Sequence, residues 1–80
     1  ILYVLTSYLD GTPAQTHLTV TLHGLGEETT QTGNYGLAEV TLTPQQPYQS
    51  VLIEARDAQG NTAYREFYFE GQWSEESVLL

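Results

Sequence analysis

Two histidines, two acidic pairs and one oxygen-rich loop are the groups in this chain whose types could do chemistry. His17 and His23 would suit a divalent metal, but they stand six residues apart on one alternating segment. At about 3.3 Å per residue, an extended chain holds their Cα atoms ~20 Å apart, too far to share an ion. They read as two exposed side chains on a polar face. Glu27-Glu28 and Glu75-Glu76 put neighbouring carboxylates on opposite faces of a strand, with no Asp/Asn/Gly ligand loop beside them, and read as solvated charge. The segment Asp57-Ala58-Gln59-Gly60-Asn61 looks like the start of a calcium loop, yet Gln59 fills the third ligand position and Tyr68 stands where the twelfth requires glutamate. It reads as a hairpin turn. The Gly-x-Ser-x-Gly of a serine nucleophile and the Gly-rich loops that cradle phosphate do not occur. With no cysteine in the chain, disulfides, thiolate metal sites and cysteine nucleophiles are excluded. The expectation is a non-enzyme with no metal and no cofactor.

The elements that carry these groups are strands. From His17 to His23, Leu18, Val20 and Leu22 alternate with His17, Thr19, Thr21 and His23, the period of a half-buried strand. Leu37 to Thr43 repeats the pattern with Ala38, Val40 and Leu42 inward, and 51–56 does so with Val51, Ile53 and Ala55. Residues 2–9 and 62–70 are rich in β-branched and aromatic types, and a weaker strand covers Glu28 to Thr32. Between them lie Asp10-Gly11-Thr12-Pro13, Gly24-Leu25-Gly26, Gly33-Asn34-Tyr35-Gly36, Pro44-Gln45-Gln46-Pro47 and the loop at Asp57, all rich in turn-forming residues. No segment holds a helical apolar stripe for three turns. The expected fold is all-β: an immunoglobulin/fibronectin III-like antiparallel β-sandwich of about seven strands. In its last hairpin the alternation points Arg65 into the core, so a β-bulge near Arg65 or Glu66 is expected, which would let Arg65 pair with Glu54. Otherwise the strand leaves Tyr64 and Tyr68 on the second face, which together with Trp73 could form an apolar patch for a neighbouring domain.

Ten acidic side chains against two arginines give a formal net charge of −8 over 80 residues. Two arginines cannot build the basic stripe that nucleic acid needs, and the negative charge is repelled by anionic lipid. No apolar run approaches the roughly 18 residues of a membrane span. The apolar alternation is already under way at Ile1, and Val78-Leu79-Leu80 resumes an apolar run after a polar stretch. The expected organisation is a domain over 1–70 cut from a longer polypeptide, with 71–80 a linker or the start of the next domain.

Taken in order, Asp10-Gly11-Thr12-Pro13, then Thr32-Gly33-Asn34-Tyr35-Gly36-Leu37-Ala38, then Ala55-Arg56-Asp57-Ala58-Gln59-Gly60-Asn61 resemble the turns of a macroglobulin-like domain of the alpha-2-macroglobulin family. The likeness spans about residues 3–70. It implies a large secreted, periplasmic or envelope-anchored protein that traps proteases, of which this chain would be an architectural module holding neighbouring domains. Neither the family's Cys-Gly-Glu-Gln thioester nor a bait-like segment occurs in this sequence. The lack of cysteine and of an Asn-x-Ser/Thr sequon favours a bacterial source. The competing reading is an immunoglobulin-like repeat of a bacterial surface adhesin, or a carbohydrate- or protein-binding module, because such sandwiches use similar turns. In that reading Tyr8, Tyr64, Tyr68 and Trp73 are the contact residues, since sugars stack on exposed rings.

Overall fold

The computed structural model describes residues 1–24, 26–42, 49–69 and 73–80. Within them the chain forms β1 (Leu2–Ser7), β2 (Thr16–Leu22), β3 (Gly26–Gln31), β4 (Leu37–Val40), β5 (Gln49–Asp57), β6 (Thr62–Phe69) and β7 (Ser74–Leu79), and no helix. Two sheets result, one of four strands in the order β3-β2-β5-β6 and one of three in the order β4-β1-β7. Every neighbouring pair is antiparallel except β1 and β7, which run parallel from Leu2↔Ser74 to Ser7↔Leu79. The expected turn at Pro44–Pro47, the strand ends at Thr43 and Glu70, and the boundary at Gly71 lie outside the described residues.

The core sits between the two sheets. Leu18, Val20, Val51, Ile53, Ala55 and Phe69 from the four-stranded sheet meet Leu2, Val4, Ala38, Val40 and Val78 from the other, all of them buried. These are the alternate positions of each strand, as a pleated chain with one wet face requires. Each large aliphatic or aromatic side chain removed from water contributes ~1.5–3 kcal/mol. Phe69, at the end of β6, is the largest fully buried side chain among the described residues.

Two local expectations give way to the observed register. Pairing between β5 and β6 runs unbroken from Gln49↔Phe69 to Arg56↔Thr62, with no bulge, and Arg65 stands directly opposite Ile53. Arg65 keeps its inward parity yet remains half exposed, because β6 is an edge strand and its inner face opens on the rim between the sheets. Its partner is therefore not Glu54. Arg65 Nε donates to Glu76 Oε2 of β7 at 3.3 Å, across the gap between the two edge strands, while Glu54 lies 3.8 Å from Arg56. The segment 71–80, expected to be a linker or the start of the next domain, supplies β7 from Ser74 to Leu79 instead. Its alternation is weak because Val78 is its sole buried apolar residue, so backbone pairing with β1 does most of the holding.

One end of the molecule is tied by buried hydroxyls. The Ala14 carbonyl accepts from Thr6 Oγ1 at 2.7 Å and from Thr32 Oγ1 at 3.0 Å. Thr32 Oγ1 accepts the Thr16 backbone N–H at 2.7 Å and lies 3.1 Å from Thr16 Oγ1. All four residues are buried, so the hydroxyls satisfy one another where water cannot. Gly36 completes the joint: its carbonyl accepts the Thr6 N–H at 2.7 Å, and its φ of 71° is left-handed. A Cβ there would stand 2.3 Å from the Thr6 carbonyl oxygen, well inside contact distance. Gly36→Ala is therefore expected to lower unfolding free energy by at least about 2 kcal/mol, through backbone strain and clash. Thr32→Val, which keeps shape but strands the Thr16 N–H, should cost about 1–3 kcal/mol. Urea denaturation measures both; losses within about 0.5 kcal/mol, the range of neutral surface changes, would show that the joint carries no strain and no buried polar demand.

Candidate interaction surfaces

Of the four residues singled out by the sequence, Tyr64 and Tyr68 lie on β6, Trp73 just before β7, and Tyr8 in the loop after β1. Tyr64 and Tyr68 occupy the outer face of the four-stranded sheet at 63% and 71% exposure. Tyr64 opposes Glu54, Tyr68 opposes Ser50, and between them Glu66 opposes Leu52, so the two rings flank an exposed leucine and a carboxylate. Shallow hollows of about 240 Å³ and 120 Å³ open on the same sheet. The first is lined by β2 and β3 side chains including His17, Thr19 and Gln31, and the second by Thr21, His23, Ser50, Leu52 and Glu66.

Trp73, 66% exposed, immediately precedes β7 of the other sheet. The Ser74 N–H donates to the Ile1 carbonyl at 2.9 Å, and Ser74 pairs with Leu2. Tyr3, Leu5 and Ser7 of β1, opposite in parity to the buried Leu2, Val4 and Thr6, define the outer face of this sheet. That outer face was not legible as a surface. Its rows are Glu39, Tyr3 and Glu75, then Leu37, Leu5 and Ser77, then Ser7 with Leu79. Leu37 and Leu79, on the two edge strands, are exposed and Tyr3 and Leu5, on the central strand, half-buried, so apolar side chains span this sheet beside the row in which Glu39 and Glu75 flank Tyr3. A signal for it was present: Ile1-Leu2-Tyr3-Val4-Leu5 is an unbroken apolar run, the pattern of a strand with apolar contacts on both faces.

Tyr8 is committed within the fold. Its hydroxyl donates to Asp57 Oδ2 at 2.6 Å, joining the loop after β1 to the end of β5. Asp57, buried, organises the next turn as well. Its Oδ1 accepts the backbone N–H groups of Gln59 at 3.0 Å and Asn61 at 2.8 Å, and its Oδ2 also accepts Asn61 Nδ2 at 2.9 Å. The Asp57-Ala58-Gln59-Gly60-Asn61 turn is thus held from within by its own aspartate. Asp10 does the same on a smaller scale, its Oδ1 accepting the N–H and hydroxyl of Thr12. Leu9 and Tyr35 project from the loops at this end, and the Gln15 side-chain amide donates to Asn34 Oδ1 between those loops.

No helix among the described residues is long and apolar enough to cross a membrane. Comparison with known proteins finds no family model, no curated relative and no solved structure that matches the chain.

The Tyr8 hydroxyl, followed by the Asn61 amide and the turn's backbone donors, holds the Asp57 carboxyl down at about 2. In return the Asp57 carboxylate, by accepting that hydrogen bond, holds the Tyr8 phenol above its ordinary value. The signs follow by linkage. The Asp57 contribution is complete above the unfolded carboxyl pKa of about 4 and is lost as pH falls toward about 2. The Tyr8 contribution is complete below about pH 10 and fades as pH rises through its raised value. Urea midpoints measured from pH 2 to 11 should decline at both ends. In Asp57→Asn the midpoint should be lower at pH 7 and the acid decline shallower; an unchanged acid decline would place its origin in another carboxylate.

Proposed function

We propose that this chain is a non-catalytic β-sandwich module of immunoglobulin/fibronectin III type, acting as scaffold in a larger alpha-2-macroglobulin-like protease-trapping protein. The observation that carries the reading is the convergence of the three family-like turn motifs. Asp10-Gly11-Thr12-Pro13, Thr32 to Ala38 and Asp57 to Asn61 come to one end of the molecule, and the Thr6–Thr16–Thr32 joint and the Tyr8–Asp57 bond tie them to each other. Motifs with such structural duties suit a part that sets angles between neighbours. The strand order adds support: a hairpin β2–β3, a crossing to β4 beside β1 and a return to β5 beside β2 resemble the Greek-key weave of immunoglobulin-like sandwiches. The parallel β7 is a departure from that antiparallel pattern. The partners in this reading are neighbouring domains of the same polypeptide and, through the full-length protein, proteases. Its setting is extracellular, periplasmic or cell-envelope.

Trapping has a characteristic readout. The full-length polypeptide, incubated with trypsin, should leave cleavage of a small chromogenic peptide intact while suppressing cleavage of casein. Equal effects on both substrates, or none on either, would remove the protease-trap reading.

The outer face of the four-stranded sheet favours a second reading, a binding repeat. Tyr64 and Tyr68 are the exposed rings of a flat face that also carries Glu54, Glu66 and hydroxyl side chains, groups that could stack against and hydrogen-bond a sugar. Affinity electrophoresis through polysaccharide gels would report retardation that Tyr64→Ala and Tyr68→Ala abolish. Unretarded migration of the parent chain would argue against sugar recognition.

A further inference from the structure

We infer that the outer face of the three-stranded sheet is a docking surface for a protein partner with an apolar centre and a Lys/Arg rim. This rests on reading the chain as a module that holds a neighbour, and is independent of whether the assembly traps proteases.

The argument begins with β1. Leu2, Val4 and Thr6 face the core, and the opposite set, Tyr3 and Leu5, lies outward at the centre of its sheet between β4 and β7. Leu5 is paired with exposed Leu37 on one side, and Leu79 stands two positions beyond its partner Ser77 on the other. A solvated face of a two-layer protein ordinarily alternates to polar residues, as β2 does at His17, Thr19 and Thr21. The three-stranded sheet has contiguous aliphatic and aromatic side chains at its centre, which marks an interaction site.

Charge selects the occupant. Strands β1, β4 and β7 contain no Lys, Arg or His, and Glu39 and Glu75 flank Tyr3 from both sides. Of the chain's two arginines, Arg65 is bonded to Glu76 and Arg56 lies on the other sheet. A second copy laid face to face would bring like charges together at the rim. One laid on its four-stranded sheet would meet Glu54, Glu66 and Glu27 as well as Arg56, again with repulsion in excess. Anionic lipid and nucleic acid are repelled for the same reason. A protein surface with an aliphatic or aromatic centre and basic side chains at its edge matches both features, burying the stripe and neutralising the two carboxylates.

The test uses isotope-labelled chain and two amphipathic helical peptides, one built of Leu and Lys and the other of Leu and Glu. Backbone amide shifts in NMR titrations should localise to Tyr3, Leu5, Leu37, Glu39, Glu75 and Leu79. The Leu/Lys peptide should bind at least about tenfold more tightly than the Leu/Glu peptide. Glu39→Gln with Glu75→Gln should shrink that preference, and Leu37→Ser with Leu79→Ser, both at exposed positions, should weaken binding while leaving the remaining spectrum in place. Shifts centred on Tyr64 and Tyr68, shifts spread evenly over the acidic surface, or equal affinity for the two peptides would overturn the inference. So would sedimentation of the unliganded chain as a dimer that Leu37→Ser dissociates, since the occupant would then be a second copy. None of these results bears on the trypsin and casein comparison, so failure of one reading is separable from failure of the other.

Discussion

The carbonyl of Ala14, accepting two buried hydroxyls at once, is the constraint on which this arrangement of strands depends. Two of the chain's passages between sheets occur at this end, from β1 to β2 and from β3 to β4. A crossing must turn its backbone polar groups through the gap between layers, where sheet partners are absent and unpaired groups are costly. Thr6 lies in the strand leaving the first crossing's origin, Thr16 in the strand it reaches, and Thr32 opens the second crossing. Their three hydroxyls meet over Ala14, so both crossings are satisfied by one joint. The remaining connection at this end, the β5–β6 hairpin, stays within its sheet, and the Tyr8–Asp57 bond fastens it to the first crossing. Three loops thereby become one rigid cap.

Gly36 shows how little tolerance that cap has. Its carbonyl receives the Thr6 N–H, while the position of a side chain is already filled by the Thr6 carbonyl oxygen. The same contact that secures the second crossing to β1 therefore excludes every residue with a Cβ. A Thr-x-x-x-Gly-x-Ala step has a concrete meaning here: Thr32 supplies the buried hydroxyl, Gly36 the close approach and left-handed φ, and Ala38 the first small core residue of β4.

Much of the layering was legible in the sequence because alternation is a local property. The inward sets Leu18, Val20 and Leu22, then Ala38, Val40 and Leu42, then Val51, Ile53 and Ala55 are all buried. What local pattern cannot carry is a strand's place in its sheet. Arg65 looked like an error of parity, but at an edge the inner face reaches the rim, and a guanidinium there needs no bulge, only a carboxylate on the facing edge. Glu76 provides it, and its strand was obscure because a single buried valine leaves almost no period to detect. Trp73 and the two tyrosines were grouped by their closeness in sequence. The tyrosines lie on β6 of the four-stranded sheet, whereas Trp73 directly precedes β7 of the three-stranded one.

The same reasoning separates the two outer faces chemically. On the four-stranded sheet the exposed Tyr64, Leu52 and Tyr68 lie in successive rows, each shared with polar or acidic residues. The three-stranded sheet is narrower, and its central strand, β1, is apolar from Leu2 to Leu5. Alternation inside β1 is therefore between two apolar sets, one committed to the core and one facing outward. Edge strands cannot hide the second set, because β4 is short and β7 contributes Ser77 beside Leu5. An acidic chain with most of its carboxylates elsewhere keeps two of them, Glu39 and Glu75, directly beside the central ring of this stripe. In isolation that placement leaves like charges near one another and the stripe wet; both costs are relieved together by an apolar surface edged with basic side chains.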